Sequence, residues 1–252
     1  MSENSSRPSR GAAAGLVLGL PLWVVLSFVA AIFVVTKVAE EVIKLVGVAA
    51  LGGETIAQTI VSVLVYALTL AIVIGVPWLV WRRRTTRREL GLERGPAWQD
   101  LAWAPAAFVA YMILTNIAGA LAPLVIPHFD TNQAQEIGFS GLTQQYQYVL
   151  AFLTLVVVAP LAEETLFRGY LFGKLRQIAP LWLTVLVVSV LFGIVHLQWN
   201  VGVDVFVMSV VACLLRESTG SIWAGVGVHM LKNGLAFYLL FINPAFLHTI
   251  GG

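Results

Sequence analysis

Long apolar segments, separated by short polar stretches, make up most of this chain. Seven of them lie near residues 12–36, 56–81, 101–126, 147–173, 181–198, 201–215 and 221–242. A helix needs about 20 apolar residues to cross a bilayer, so the sixth segment is short and we expect it to be tilted, kinked or partly re-entrant. The pattern predicts an all-α, polytopic transmembrane helix bundle of about seven helices, or eight if the last one breaks near Asn243.

The composition agrees with a membrane protein. Of the 252 residues, 59% are hydrophobic and only 11% are charged, whereas a soluble domain carries about 25% charged residues. A soluble globular fold is therefore excluded. The net charge of +2 is small, and no nucleic-acid partner is expected. The single cysteine, Cys213, excludes an internal disulfide and a metal site built from several cysteines.

The chain divides into a short polar tail and two helical parts. Residues 1–10 are rich in Ser, Asn and Arg, which predicts a disordered cytosolic tail. The next apolar run is too long for a signal peptide and precedes no clear cleavage site, so we interpret it as the first transmembrane helix. Residues 11–144 are predicted to form N-terminal transmembrane helices, and residues 145–245 a helical core that carries the chemistry described below.

Basic residues are distributed unequally between the two ends of the predicted helices. If the seven segments alternate in direction, one side holds only Lys37 and Lys44, and the other side holds eleven basic residues. These eleven are Arg7, Arg10, Arg82, Arg83, Arg84, Arg87, Arg88, Arg94, Lys174, Arg176 and Arg216. Because cytosolic loops carry the excess of Lys and Arg, we expect a multi-pass protein of the cell membrane. Its N-terminus would be cytosolic, and its 127–146 loop and C-terminus would lie outside.

Two adjacent carboxylates and an arginine follow an uncharged run. Glu164 and Arg168 are four residues apart, on one helical face and in the order that favours an ion pair. Glu163 points about 100° away from its neighbour and remains free for proton transfer. Pro160 has no N–H, frees the carbonyl four residues earlier and favours a kink with room for water. A purely structural Glu–Arg clamp would explain Glu164 and Arg168 but not Glu163.

Two later apolar segments contain histidine. His196 lies one helical turn after Phe192 in a fully apolar segment, and His229 lies one turn before Asn233. His229 and Asn233 share a helical face, and both can donate a hydrogen bond to a developing oxyanion. Either histidine could instead form only a polar contact between helices. Taken together, the three motifs supply the base, the assisting groups and the oxyanion donors that amide hydrolysis needs.

The same three motifs carry a family resemblance. In this order they resemble the Glu-Glu-x-x-x-Arg, Phe-x-x-x-His and His-x-x-x-Asn motifs of the CPBP intramembrane proteases, also called the Abi family. That family includes the type II CAAX prenyl endopeptidases and proteins of bacteriocin processing or immunity. The resemblance covers about residues 145–240, and residues 219–224 are also similar to the family's lead-in to its last motif. The motif residues here are Glu163, Glu164, Arg168, Phe192, His196, His229 and Asn233.

The resemblance implies an intramembrane endopeptidase similar to CAAX prenyl protease 2. Such an enzyme cleaves a peptide bond in a membrane-associated protein or peptide, which would be the partner together with the lipid bilayer. By that resemblance Glu163 is the general base that activates water, with His196 assisting. Glu164 and Arg168 hold the first motif in place, and the last motif forms the oxyanion site.

Two other classes of function stay open. One is a non-catalytic membrane scaffold, such as a bacteriocin immunity factor, which needs the fold but not Glu163. The other is a proton-coupled transporter that uses the same buried acids and histidines. Transporters commonly contain an internal repeat, and the chain has none, so transport ranks last.

Zinc is the one cofactor that the resemblance raises. The family has been labelled metalloprotease, and Glu163, His196 and His229 could bind zinc through carboxylate and imidazole groups. A metal-free mechanism within the family activates water with glutamate and histidine alone. Counted along ideal helices from the cytosolic ends, Glu163 and His229 lie at a depth of about 15 Å and His196 at about 20–24 Å. Since zinc ligands must come within about 2 Å of the ion, we expect a bound metal to be dispensable.

Overall fold

The computed structural model describes residues 10–127, 129, 139 and 141–245, with side chains from residue 15 onward. This part of the chain is helical and contains no strand. The seven main helices are α1 Arg10–Val46, α2 Glu54–Trp81, α3 Trp98–Val125, α4 Gln145–Leu175, α5 Leu181–Ile194, α6 Trp199–Thr219 and α7 Trp223–Ile242. A short 3-10 turn, Val48–Leu51, separates the first two. The predicted all-α bundle is confirmed, and α7 ends at the predicted break before Asn243.

Three helix boundaries differ from the apolar segments. α1 continues ten residues beyond the predicted end, and on this extension Lys37 pairs with Glu40 and Lys44 with Glu41. α6 has 21 residues, so the prediction of a short sixth helix was wrong. α5 ends at Ile194 and does not reach residue 198. The predicted disordered tail, apart from residue 10, and most of the 127–146 loop lie outside the described residues.

Five helices in the described part of the chain are long and apolar enough to cross a membrane. They are α1, α2, α3, α4 and α7. α5 has 14 residues, about 21 Å, which is shorter than the roughly 30 Å hydrocarbon layer. Large apolar side chains also cover the outer surface, including Leu18, Leu22, Leu124 and Val125. Lipid can cover such a surface and water cannot, so the chain is a multi-pass membrane protein.

The short helix α5 and the helix α6 form an antiparallel pair inside the bundle. α6 packs against α3, α5 and α7, and its buried residues run from Val201 to Leu215. At the turn between α5 and α6 the backbones nearly touch, since a Cβ on Gly193 would lie 2.9 Å from the carbonyl oxygen of Gly202. α5 begins and α6 ends at the same end of the bundle, so α7 starts from the end at which α4 finished.

The predicted cytosolic segments meet at one end of the bundle. The Arg216 guanidinium donates hydrogen bonds to the backbone oxygens of Arg88 and Glu89, and Lys174 pairs with the Glu89 carboxylate at 2.7 Å. Burial acts to raise the pKa of Glu89, but hydrogen bonds from Lys174 and the Thr86 backbone help lower it to about 2. The loop after α2 is therefore fastened to the ends of α4 and α6, which brings the basic clusters together.

We predict that the loops on either side of α3 lie on opposite sides of the membrane. Single cysteines at Arg84 and Thr143, both exposed, should react with an impermeant thiol reagent from the cytosol and from outside, respectively. The native Cys213 is buried and should give little background. Reaction of both positions from the same side would contradict the predicted topology.

Candidate active site

The first motif lies in an irregular part of α4. π-helical stretches at Leu153–Val158 and Thr165–Leu171 flank the α-helical turn Ala159–Glu164. Ala159 N–H donates to the Thr154 oxygen, and Pro160 has no N–H, so neither donates to the Leu155 carbonyl. We expected Pro160 to free the carbonyl four residues earlier. The backbone here is π-helical, with hydrogen bonds that span five residues, so the freed carbonyl is that of Leu155, and it accepts a donor from another helix.

Asn233 supplies that donor from α7. Its Nδ2 lies 2.8 Å from the Leu155 oxygen and donates a hydrogen bond to it. An unpaired backbone carbonyl in an apolar interior is costly, so this contact fixes the distance between α4 and α7. One of the two amide N–H groups of Asn233 is therefore already in use, and one remains.

A buried ion pair lies one turn further along α4. Glu164 Oε1 is 3.0 Å from Arg168 Nη1 and 3.0 Å from His229 Nδ1. The side chains of Glu164 and Arg168 are completely buried, and that of His229 is 3% exposed. The pair forms at the spacing predicted from the sequence, and it also holds the ring of His229. Because a carboxylate only accepts hydrogen bonds, Nδ1 of His229 carries a proton.

The positive charge of the buried Arg168 guanidinium is balanced mainly by the Glu164 carboxylate and by the face of the Phe192 ring. Its Cζ lies 4.4 Å above the centre of the Phe192 ring, and Nη2 is 3.9 Å from the sulfur of Met208. Nη1 approaches Glu164 closely, but not in a direction that makes a hydrogen bond. The other carboxylate oxygen, Oε2, also has no hydrogen-bond partner. A Cβ on Gly225 would lie 2.9 Å from Oε2, so a glycine at that position lets α7 approach the carboxylate.

Glu163 points into a different environment. Its Oε1 accepts a hydrogen bond of 2.6 Å from the Tyr66 hydroxyl on α2, and its side chain is 17% exposed. Its Oε2 lies 3.7 Å from Nε2 of His229, which is too long for a hydrogen bond. The two neighbouring glutamates are therefore separated as predicted, one inside an ion pair and one facing a cavity.

His196 lies beyond the end of α5, and its placement inside a helix was wrong. After α5 the backbone hydrogen bonds span three residues instead of four, and the Leu197 N–H donates to the Ile194 oxygen. Leu197 then adopts a left-handed φ of 58°. His196 Nδ1 is 2.7 Å from the Phe192 carbonyl oxygen. Since a carbonyl only accepts, Nδ1 carries the proton and Nε2 is the basic nitrogen.

A cavity of about 130 Å³ brings the predicted residues together. It lies between α2, α4, the turn after α5, and α7, and a second small cavity adjoins it at Glu163 and His196. His196 and Glu163 thus line the same cavity, because α5 ends at Ile194 and the chain turns after it. The cavity is lined by Glu163, His196, His229 and Asn233 of the motifs, and by Tyr66 and Lys232.

Sequence reasoning missed Tyr66 and the surroundings of Lys232. Tyr66 is one phenol in an apolar helix with no spacing relation to the motifs. Lys232 lines the cavity and lies 3.4 Å from Asp204 on α6, whose carboxylate also accepts hydrogen bonds from Tyr111 and Thr115 on α3. Asp204 thereby connects α3, α6 and α7.

The described side chains include no ready-made group of metal ligands. Among the described residues, no three His, Cys, Asp or Glu side chains are placed so that they could hold a metal ion. Nδ1 of His196 contacts a carbonyl and Nδ1 of His229 contacts Glu164. Each ring therefore keeps Nε2 free of these two contacts.

We predict that the two glutamates differ in their contribution to stability. Glu164→Gln and Arg168→Leu each leave a charge buried without its partner, which costs about 3–5 kcal/mol and lowers the apparent melting temperature in detergent. Glu163→Gln should change it little, because the side chain is partly exposed and the amide oxygen can still accept from Tyr66. Equal losses in all three variants would contradict this difference.

Comparison with known proteins agrees with the motifs. Residues 145–235 match the family model described as type II CAAX prenyl endopeptidase Rce1-like. The chain is 27% identical over 134 residues to the Bacillus subtilis (strain 168) protein named "Putative membrane peptidase YdiL", covering 53% of this chain and 54% of that protein. It is 32% identical over 87 residues to an Escherichia coli protein named "Uncharacterized 24.3 kDa protein", covering 32% of this chain and 40% of that one.

A third relative is "UPF0177 protein YbdI" of Lactococcus lactis, 29% identical over 104 residues, which are 40% of this chain and 56% of that protein. The matched segments thus span about half the length of these relatives. No solved structure matches the chain significantly. All three motifs lie within the residues that the family model matches. The resemblance to the type II CAAX prenyl endopeptidases that the motifs predict is therefore confirmed, and it lies within residues 145–235.

Proposed function

We propose that this protein is an intramembrane endopeptidase that hydrolyses a peptide bond in a membrane-associated protein or peptide. The observation that carries this proposal is the shared cavity of Glu163, His196, His229 and Asn233, which come from three separate parts of the chain. The family match supports a membrane protease of the CAAX type. A cavity between helices suits a substrate that reaches the enzyme through the bilayer.

Glu163 acts as the general base. A water molecule between Glu163 and Nε2 of His196 gives one proton to the carboxylate while its oxygen attacks the scissile carbonyl carbon. His196 helps to orient this water, because its Nδ1 is fixed by the Phe192 oxygen and its Nε2 can accept a hydrogen bond. Tyr66 holds one carboxylate oxygen of Glu163, so the other is directed towards the water.

The last motif stabilises the tetrahedral intermediate. Asn233 has one amide N–H left after it donates to Leu155. Nδ1 of His229 is occupied by Glu164, so Nε2 is the ring nitrogen that would donate to the oxyanion when it carries a proton. When the C–N bond breaks, Glu163 returns its proton to the leaving amine, and the products are a carboxylic acid and an amine.

The decisive test is proteolysis by purified protein in liposomes, with a peptide library as substrate. Wild type should cleave, and Glu163→Gln should abolish cleavage while the protein stays folded. Glu40→Gln is the matched control, since Glu40 is exposed and pairs with Lys37 away from the cavity. Full activity of Glu163→Gln would remove Glu163 from the mechanism. No cleavage by wild type would favour the non-catalytic scaffold.

We expect Tyr66→Phe to lower kcat and leave KM nearly unchanged. The substitution keeps the ring but removes a hydrogen bond to a carboxylate, which is worth about 1.5–3 kcal/mol, or tenfold or more in rate. Tyr148→Phe is the control, because the Tyr148 hydroxyl donates to the Leu142 oxygen and Tyr148 does not line the cavity. The same kcat for Tyr66→Phe and wild type would remove Tyr66 from the mechanism.

We propose further that cleavage needs no bound metal. Protein stripped with a chelator should therefore retain its activity, with metal content measured on the same sample. Zinc bound at one ion per chain, with activity lost on removal and restored on its return, would contradict the metal-free mechanism.

A further inference from the structure

A groove at the basic end of the bundle is separate from the catalytic cavity. It lies between α1, the end of α2 and the end of α4, with a volume of about 430 Å³, which is within the range of ligand pockets. The residues that the proposed mechanism uses do not line it. Its wall changes from apolar to basic towards the end of the bundle.

The outer part of the groove offers hydrogen-bond donors to an anion. Arg83, Thr85, Lys174 and Gln177 line it. Lys174 and Gln177 donate to the same Glu89 oxygen, at 2.7 and 3.1 Å, which fixes their positions and balances the charge of Lys174. Among the described residues Arg83 forms no ion pair, and it is exposed. The guanidinium of Arg83 is therefore the free positive charge of this groove.

The chain turns sharply to place Arg83 there. Arg82 adopts a left-handed φ of 54°, and the N–H of Arg83 donates to the Pro77 oxygen, which closes the end of α2. A non-glycine residue with positive φ is uncommon. The turn directs the following residues back across the mouth of the groove rather than away from the bundle.

The inner part of the groove is apolar and has the character of a membrane interface. Leu16 and Leu20 of α1 form one wall, and Trp23 and Trp81 form a T-shaped pair 6.5 Å apart beside them. Tryptophan is enriched at the level of the lipid headgroups. The apolar inner part of the groove can contact an acyl chain, and the basic outer part can bind a headgroup anion. The two parts follow one another as the chain and the headgroup do in a phospholipid.

We propose that this groove binds one anionic phospholipid, with the phosphate at Arg83, Thr85 and Lys174 and an acyl chain along α1. Basic pockets between transmembrane helices on the cytosolic side bind anionic headgroups, and this end of the bundle carries the predicted cytosolic clusters. Bound lipid would connect α1, α2 and α4 at their ends. The proposal does not depend on the endopeptidase function.

Lipid binding to the full-length protein in detergent tests the proposal directly. Phosphatidylglycerol and phosphatidylcholine with the same acyl chains are titrated, and retained lipid is counted by native mass spectrometry. One phosphatidylglycerol should bind, at least about fivefold more tightly than phosphatidylcholine. Inorganic phosphate in a separate titration should neither compete at millimolar concentration nor raise the melting temperature.

Two pairs of variants separate the basic and apolar parts of the groove. Arg83→Gln should weaken phosphatidylglycerol binding about fivefold, and Arg87→Gln, which removes the same charge from the same exposed segment outside the groove, should change it less than about twofold. Gly19→Leu adds a side chain where nothing lies within 4 Å and fills the groove. Gly15→Leu, one turn earlier and also in open space, is its control and should bind normally.

Four results would overturn the proposal. Equal affinity for the two lipids would show that no anionic headgroup is recognised. Equal effects of Arg83→Gln and Arg87→Gln would show attraction by diffuse charge without a site, and normal binding by Gly19→Leu would place the lipid elsewhere. Protection by inorganic phosphate equal to that by phosphatidylglycerol would indicate an anion site that holds no lipid.

Discussion

The ion pair of Glu164 and Arg168 is the constraint on which the core of this structure depends. Both side chains are completely buried, and a charge in an apolar interior is stable only with an opposite charge or polar partners. His229 from α7 contacts the carboxylate, while Phe192 from α5 and Met208 from α6 contact the guanidinium. Four helices must therefore meet at one point.

This constraint also determines which glutamate can do chemistry. Neighbouring residues on a helix point about 100° apart, so burial of Glu164 directs Glu163 towards the cavity. The ring of His229 is shared between the two, since Nδ1 contacts Glu164 and Nε2 faces Glu163 at 3.7 Å. A structural pair and a candidate catalytic pair are thus built from the same short stretch of α4 and one residue of α7.

The N-terminal helices take part in the site as well. Tyr66 on α2 bonds Glu163, although α2 lies outside the residues that the family model matches. α1 and α2 pack against α4, and the same packing forms the groove at the basic end. The family match is confined to the C-terminal core, whereas the site uses residues from both the N-terminal helices and the core.

What the sequence alone determined is local. The number of helices follows from the apolar segments, and the pair of Glu164 and Arg168 follows from a four-residue spacing, because both depend on neighbours along the chain. Only the tertiary structure decided that His196 lies in a turn, that Asn233 binds Leu155 and that Tyr66 reaches Glu163. The last two contacts join residues 78 and 97 positions apart, and the first depends on where α5 ends against α6. No local pattern specifies such contacts, because they arise from how the helices pack.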